Sequence, residues 1–78
     1  MPAVVMFAQA REAAGRSRVD SEEATVGAVL DALTERFGPG FAAVVDVSTI
    51  WCNGEPAEPA DVVGPRDELA IVPPVSGG

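Results

Sequence analysis

The residues at the C-terminal end of the sequence carry the group best suited to chemistry. The chain finishes on PPVSGG, residues 73–78, directly after an apolar run at Leu69–Val72. Gly77 and Gly78 have no side chains, so the backbone permits close approach and a carboxylate on Gly78 can be reached from either side. A carboxylate is a poor electrophile because hydroxide is a bad leaving group. Chemistry at Gly78 therefore requires prior activation, most simply as an acyl-adenylate.

The residues before the glycines would present that carboxylate on an arm with a stiff root. Pro73 and Pro74 have no N–H groups with which to continue a strand ladder, and they favour an extended chain. Six residues at about 3.1 Å each would reach about 18 Å. We predict a globular domain at 1–74 and a flexible Gly-Gly tail at 75–78, which includes Ser76. A frayed terminus with no function is the alternative.

Composition limits the classes of function. The chain has 78 residues, which is enough for one domain, and a net charge of -7, with five arginines and no lysine. Such a surface repels phosphate backbones, so nucleic-acid binding is not expected. The acidity is consistent with a basic protein partner found by electrostatic steering, or simply with solubility.

The residues that usually form stabilising or reactive sites are scarce. Cys52 is the only cysteine and histidine is absent, so the sequence predicts no disulfide and no metal site. Without a histidine to lower its pKa, Cys52 is better explained as a small buried apolar residue than as a nucleophile. Nothing resembles a phosphate-binding loop, a signal peptide or a membrane span, so we expect a cytoplasmic protein without catalytic machinery or a bound cofactor of its own.

The first half of the chain predicts a strand, a connection, a second strand and a helix. Ala3–Ala8 is short, apolar and rich in β-formers, Gln9–Gly15 reads as a tight connection, and Arg16–Asp20 as a short polar strand. Thr25 can cap a helix whose apolar residues recur at three- and four-residue steps as far as Phe37.

The second half predicts two strands separated by a loop. Phe41–Val45 is either one helical turn or a piece of strand, and we favour the turn. Ser48–Asn53 reads as a strand ending at an Asn53-Gly54 hairpin turn. Glu55–Asp67 is loop-like, with at most a two-residue strand at Val62-Val63, and Leu69–Val72 is the final strand.

This element order predicts an α+β fold of the ubiquitin-like β-grasp type. One main helix lies across one face of a mixed sheet of four to five strands, with the first and last strands adjacent in the middle. The other face would be bare. Phe7, Val5 and Val72 point towards it if Val4, Met6, Leu69 and Ile71 face the helix, and the opposite phase remains possible. An exposed apolar patch of this kind typically marks a partner site.

Two segments then resemble a known family. Phe7-Ala8-Gln9-Ala10-Arg11-Glu12 with Gly15, and the ending at 67–78, closely resemble the small, sulfur-carrier subunit of molybdopterin synthase, of the MoaD/ThiS-type ubiquitin-like family. The resemblance covers essentially the whole chain. The first motif is fairly specific to this subunit, whereas the terminal Gly-Gly is shared by all ubiquitin-like sulfur carriers.

The resemblance implies a cycle of activation and sulfur transfer. An E1-like adenylating enzyme uses ATP to activate Gly78, and a sulfur donor converts it into a thiocarboxylate. The tail then enters the large synthase subunit, where sulfur passes to cyclic pyranopterin monophosphate during molybdenum cofactor biosynthesis. Gly78 is thus a bound reagent, Gly77 gives clearance, and a hetero-tetramer with the large subunit is implied.

The resemblance also suggests docking residues and leaves rivals open. Phe7 and Val72 are expected in the docking patch, while Arg11 could pair with an acidic partner group or anchor its own turn through Glu12. The same tail chemistry could serve thiamine or cysteine synthesis, or attach the chain to other proteins as a modifier. A β-grasp interaction module that is never activated is the third hypothesis.

Overall fold

The computed structural model describes residues 1–74 and contains one five-stranded sheet with three helices in that range. The strand order is β2-β1-β5-β3-β4. The strands are Ala3–Met6 (β1), Arg18–Asp20 (β2), Thr49–Cys52 (β3), Glu55–Pro56 (β4) and Glu68–Val72 (β5), and the helices are Ala8–Ala14 (α1), Val26–Phe37 (α2) and Pro39–Asp46 (α3).

The first and last strands lie side by side in the centre of the sheet, as the sequence predicts. β1 and β5 pair in parallel, with Val4 opposite Leu69 and Met6 opposite Ile71. All other pairings are antiparallel. The architecture is the mixed α+β arrangement of the ubiquitin-like β-grasp fold, and the fold-class prediction is confirmed.

The core lies between the sheet and the helices. The strand side chains that face the helices are almost fully buried: Val4, Met6, Leu69 and Ile71. Of the two predicted orientations of β1 and β5, the chain therefore adopts the one that turns these residues towards the helices. Because side chains alternate along a strand, Val5, Ala70 and Val72 lie on the other face. From the helices, Val26, Val29 and Leu33 of α2 and Phe41 of α3 complete the core.

Helix α2 begins where the sequence predicts. The Thr25 hydroxyl accepts a hydrogen bond from the backbone N–H of Ala28 at 3.2 Å. Two further N–H groups of the first turn are satisfied by the loop before β5: those of Val26 and Gly27 donate to the carbonyl oxygens of Asp61 and Pro59. The segment at Glu55–Asp67 therefore caps a helix as well as connecting strands.

The segment at Gln9–Gly15 is a helix, and the prediction of a tight connection was wrong. Seven residues, AQAREAA, form α1, which starts at Ala8 with φ of 48° and is closed by a backbone hydrogen bond from Gly15 to Arg11. Four of the seven are alanine, the strongest helix former, and buried Ala10 packs this short helix onto the core. β1 consequently ends at Met6 rather than at Ala8.

The remaining boundaries differ in smaller ways. β2 starts at Arg18 rather than Arg16, and the favoured helical turn at Phe41–Val45 is part of the longer α3, which begins with Pro39 at its first position. The hairpin turn is confirmed, because Asn53 and Gly54 have φ of 51° and 84°. That turn leads into β4, a two-residue strand within the predicted loop, whereas Val62 makes only an isolated bridge with Thr25.

No helix within residues 1–74 is long and apolar enough to cross a membrane.

Candidate functional site

The root of the predicted arm is the most firmly held strand of the sheet. β5 pairs with β1 on one side and with β3 on the other, and Leu69 and Ile71 are completely buried. Beyond the β1 ladder, the backbone N–H of Phe7 donates to the carbonyl oxygen of Ile71 at 3.2 Å. A group attached to the end of β5 is thus attached to the centre of the fold.

The strand ends at the two prolines, as predicted. β5 stops at Val72, and the next residue, Pro73, is buried while Pro74 is exposed. Neither proline has an N–H to extend the ladder. Ser76, Gly77 and Gly78, which carry the predicted chemistry, lie outside the described residues, as does the predicted tail at 75–78, so their roles stay predictions.

The sheet face opposite the helices brings together three of the four predicted docking residues. We call it the open face: Val5, Phe7, Trp51, Ala70 and Val72. Val5 lies opposite Ala70, and Ala70 lies opposite Trp51. Phe7 continues the alternation of β1 in an extended conformation and is 46 % exposed. The result is an apolar strip across the sheet, next to the point where β5 ends.

An ion pair borders this strip. Arg18 Nη1 lies 3.3 Å from Glu68 Oε2, and both side chains are more than half exposed. Such exposed pairs contribute little to stability, typically about 0–1 kcal/mol. The pair therefore matters more as a polar edge of the open face than as a stabilising contact.

Arg11, the fourth predicted docking residue, lies on α1 rather than on the sheet. It is exposed, in the last turn of the helix. The only ion pair found in residues 1–74 is Arg18–Glu68, so the alternative that Arg11 anchors its turn through a salt bridge to Glu12 has no support there.

A hydrogen-bond network that the sequence analysis missed fixes the entry into β5. Asn53 Nδ2 donates to Asp67 Oδ1 at 2.9 Å, and its Oδ1 accepts from the backbone N–H of Glu68 at 2.9 Å. The N–H of Gly64 donates to Asp67 Oδ2 at 2.7 Å. The hydrogen bond from Gly64, followed by that from Asn53, lowers the pKa of the Asp67 carboxyl. Asp67 thus serves the fold.

Cys52 has the character of a structural residue. It is half-buried on β3, on the side of the sheet that packs against the core. Desolvation raises the pKa of its thiol, and the carboxylates of Asp67, Asp61 and Glu55 raise it further. A raised pKa keeps the thiol protonated at neutral pH, so the environment opposes nucleophilic chemistry at this position. Among residues 1–74 no cluster of potential ligands could hold a metal ion.

An apolar groove lies beside the last described residues, and we call it the root groove. It has a volume of about 210 Å³ and is lined by Gln9, Ala43, Val44, Val47, Pro73 and Pro74. Its walls come from α1, from α3 with the residue after it, and from the chain after β5. The groove was not predicted, because the sequence indicated a connection in place of α1 and only a short turn in place of α3.

A β-grasp domain whose central strand ends at Val72, directly before Pro73-Pro74 and the sequence Val75-Ser76-Gly77-Gly78, belongs to the ubiquitin-like class. The model of the ThiS family matches residues 4–78. The chain belongs to the ThiS family and is a ubiquitin-like sulfur-carrier protein of the MoaD/ThiS type.

Relatives of this chain are named for more than one role. It is 39% identical to small archaeal modifier protein 1 of Haloferax volcanii over 94% of this chain and 95% of the relative. It is 36% identical to the molybdopterin synthase sulfur carrier subunit of Arabidopsis thaliana over 96% of this chain and 80% of that one. The solution structure of small archaeal modifier protein 1 from Methanosarcina acetivorans matches with a TM-score of 0.86 and 28% identity, covering 99% of this chain and 95% of that chain.

Proposed function

We propose that this chain is the sulfur-carrier subunit of a molybdopterin synthase and that Gly78 carries the sulfur. The observation that supports this most is the position of β5, the central strand, which ends at Pro73-Pro74 with Pro73 buried. A tail attached there has a fixed root, and the family match extends to residue 78. The Arabidopsis relative is named for this role.

The proposed chemistry takes place on the carboxyl group of Gly78. In an E1-like adenylating enzyme, a carboxylate oxygen attacks the α-phosphorus of ATP and pyrophosphate leaves. The terminal sulfur of a persulfide donor then attacks the acyl carbon and AMP leaves, which gives an acyl disulfide. A thiol attacks the donor's sulfur in that bond, so that the donor leaves as a disulfide with the thiol and the thiocarboxylate is released. ATP is a substrate of the partner, and the carrier supplies the acyl group, with Gly77 and Ser76 leaving the path to it unhindered.

The charged carrier then docks on the large synthase subunit, where its sulfur passes to cyclic pyranopterin monophosphate. The open face supplies the apolar contact, with Val5, Phe7 and Val72 at its centre and Arg11 on the neighbouring helix. A net charge of -7 favours a partner whose surface around the docking site is basic. Two carriers on a pair of large subunits would form the hetero-tetramer that the family resemblance implies.

A second function is favoured by the relative from Haloferax, which is named a modifier protein and is 39% identical. In that role the activated Gly78 would be attacked by an amine of another protein and not by sulfur. A sulfur carrier for thiamine or cysteine synthesis would use the same thiocarboxylate with a different acceptor. An interaction module that is never activated would need only the open face.

Replacement of the gene in its own cells separates these possibilities. Cells that lack the chain would receive the intact chain, the chain without Gly78, or Val62→Ala as a matched control at a residue that is 77% exposed. We expect the intact and Val62→Ala chains to restore molybdenum cofactor and the chain without Gly78 to fail completely.

The other outcomes identify the rivals. A loss of modified proteins with normal molybdenum cofactor would support the modifier function. A loss of thiamine or cysteine with normal molybdenum cofactor would support a sulfur carrier for that synthesis. Full rescue by the chain without Gly78 would leave only the interaction module. Purification of the large subunit with the intact chain would support the first function independently, and recovery of a thiazole synthase in its place would count against it.

A further inference from the structure

The hairpin turn between β3 and β4 carries a reactive pair of residues that the proposed function does not use. Asn53 is the only asparagine in the chain, and Gly54 follows it directly. Both residues are exposed to solvent. Gly54 has no Cβ, so its backbone nitrogen can approach the side-chain amide of Asn53 without steric hindrance. The turn therefore places an electrophilic amide carbon next to an unhindered backbone nitrogen.

The reaction open to such a pair is deamidation. Once hydroxide has taken the proton of the Gly54 N–H, that nitrogen attacks Cγ of Asn53. The bond between Cγ and Nδ2 then breaks, and the amide nitrogen takes up a proton and leaves as ammonia. Water opens the resulting succinimide ring at one of its two carbonyl carbons, which gives aspartate or isoaspartate. In sum one water is consumed and one ammonia is released, so the step needs no other reagent.

Hydrogen bonds to the start of β5 hold Asn53 away from this reaction. Its Nδ2 donates to Asp67 Oδ1 and its Oδ1 accepts from the backbone N–H of Glu68, both at 2.9 Å. Its backbone N–H donates to the carbonyl oxygen of Glu68, also at 2.9 Å. Ring closure requires Cγ to move to bonding distance of the Gly54 nitrogen, and this movement pulls both amide atoms away from their partners.

The attacking nitrogen is not held in the same way. Among residues 1–74 the Gly54 N–H donates no hydrogen bond, and it lies in the exposed turn where water can reach it. The rate of the reaction is therefore controlled at the side chain of Asn53 and by the groups that bind it.

We propose that Asn53 is a site of spontaneous deamidation, that its hydrogen bonds to Asp67 and Glu68 protect it in the folded chain, and that its conversion breaks the network at the start of β5. In the product a carboxylate replaces the amide that donates to Asp67, so two negative groups face each other in place of a hydrogen bond. The inference goes beyond the proposed function, because it concerns the chemical lifetime of the folded chain and holds whether or not Gly78 is activated.

Incubation of the full chain in mildly alkaline buffer, followed by peptide mapping with mass spectrometry, measures the conversion of Asn53. We expect the folded chain to convert at least ~10-fold more slowly than the same chain unfolded in urea. Asp67→Ala should accelerate conversion of the folded chain ~10-fold, which corresponds to about 1.4 kcal/mol and is the size expected for one hydrogen bond to a charged group.

Val29→Ala is the control for a general loss of stability. It opens a cavity in the core but leaves the hydrogen-bond partners of Asn53 in place, so it should accelerate conversion less than Asp67→Ala does. Equal rates in buffer and in urea would overturn the proposal, and so would equal acceleration by Asp67→Ala and Val29→Ala.

Asn53→Asp tests the consequence of the reaction separately. We expect it to lower the unfolding free energy in urea near neutral pH, and to lower it much less in the Asp67→Ala background, where the facing carboxylate is gone. Gln9→Glu is the matched control, because Gln9 is exposed and its side chain makes no hydrogen bond within residues 1–74.

The control should change the unfolding free energy little. A loss in Asn53→Asp no larger than that in Gln9→Glu, or an equal loss with and without Asp67→Ala, would overturn the proposed break at the start of β5. Because these measurements need no partner, no ATP and no sulfur, their failure is distinguishable from failure of the sulfur-carrier function.

Discussion

At the scale of single residues, the side chains that fix the start of β5 matter as much as those of the open face. Asp67 accepts hydrogen bonds from Gly64 and Asn53, and Asn53 in turn holds the N–H of Glu68. A change here would loosen the central strand without touching the apolar core. The sequence marked Asn53 as a turn residue only, because a hydrogen bond over fourteen positions leaves no local pattern.

Because the pKa of Asp67 is lowered in the folded state, its contribution to the unfolding free energy should depend on pH. The folded state favours the carboxylate, so its stabilisation is fully present above the ordinary pKa of about 3.9 and is lost as pH falls through the lower pKa of the folded state. We expect the difference in unfolding free energy between the natural chain and Asp67→Asn to be largest near neutral pH and to shrink below about pH 4.

Urea denaturation over a series of pH values measures this difference. Asp31→Asn is the matched control, because Asp31 is exposed and makes no side-chain hydrogen bond or ion pair within residues 1–74. It should show a small difference. If the effect of Asp67→Asn were the same at every pH, the hydrogen bonds to the carboxylate would not be its cause.

At the scale of elements, periodicity and turn chemistry predicted most of the fold. The three- and four-residue spacing of apolar residues and the cap at Thr25 identified α2, and Asn53-Gly54 identified the hairpin. α1 was missed because seven residues are too few to show a helical period, although its alanines favour helix. β4 was missed because a two-residue strand that contains Pro56 is specified by its partner strand and not by its own sequence.

The hairpin between β3 and β4 gives a prediction at this scale. Gly54 has φ of 84°, a conformation that costs residues with a Cβ about 1–2 kcal/mol. Gly40 lies in α3 without a positive φ, and a Cβ there would meet nothing within 4 Å. We therefore expect Gly54→Ala to lower the unfolding free energy by about 1–2 kcal/mol and Gly40→Ala to leave it unchanged or raise it by about 0.5–1 kcal/mol.

Urea or thermal denaturation of the two variants compares them directly. Both replace glycine by alanine at exposed positions, so the side-chain chemistry is matched and only the backbone conformation differs. Equal destabilisation of the two variants would contradict this explanation of the turn.

At the scale of the whole molecule, the fold brings the end of its central strand next to the open face. β5 is buried between two strands, its exit lies beside the open face, and a partner that contacts this face is therefore placed next to the tail. The sequence could predict the open face only as one of two phases. The choice between them depends on which side the helices cover, a property of the assembled fold.

The tail at 75–78 and the domain at 1–74 were predicted from different kinds of information. The proposed role of Gly78 rests on residue type, the proline boundary and family membership, and residues 1–74 supply the root of the tail and the open face that we propose as its docking surface. The root groove could not have been predicted, because it needs α1, α3 and the exit of β5 to meet at one corner, and two of these elements were assigned too little structure.

The central claim is that Gly78 is a chemical handle activated by other proteins, and intact-mass measurement of the chain purified from its own cells tests it most directly. We predict a species in which one oxygen of the terminal carboxyl is replaced by sulfur, located by fragmentation to Gly78 and absent when the adenylating enzyme is deleted. The account would be contradicted if sulfur-replete cells yielded only the unmodified carboxylate, with no thiocarboxylate on the free chain and no linkage of Gly78 to another protein.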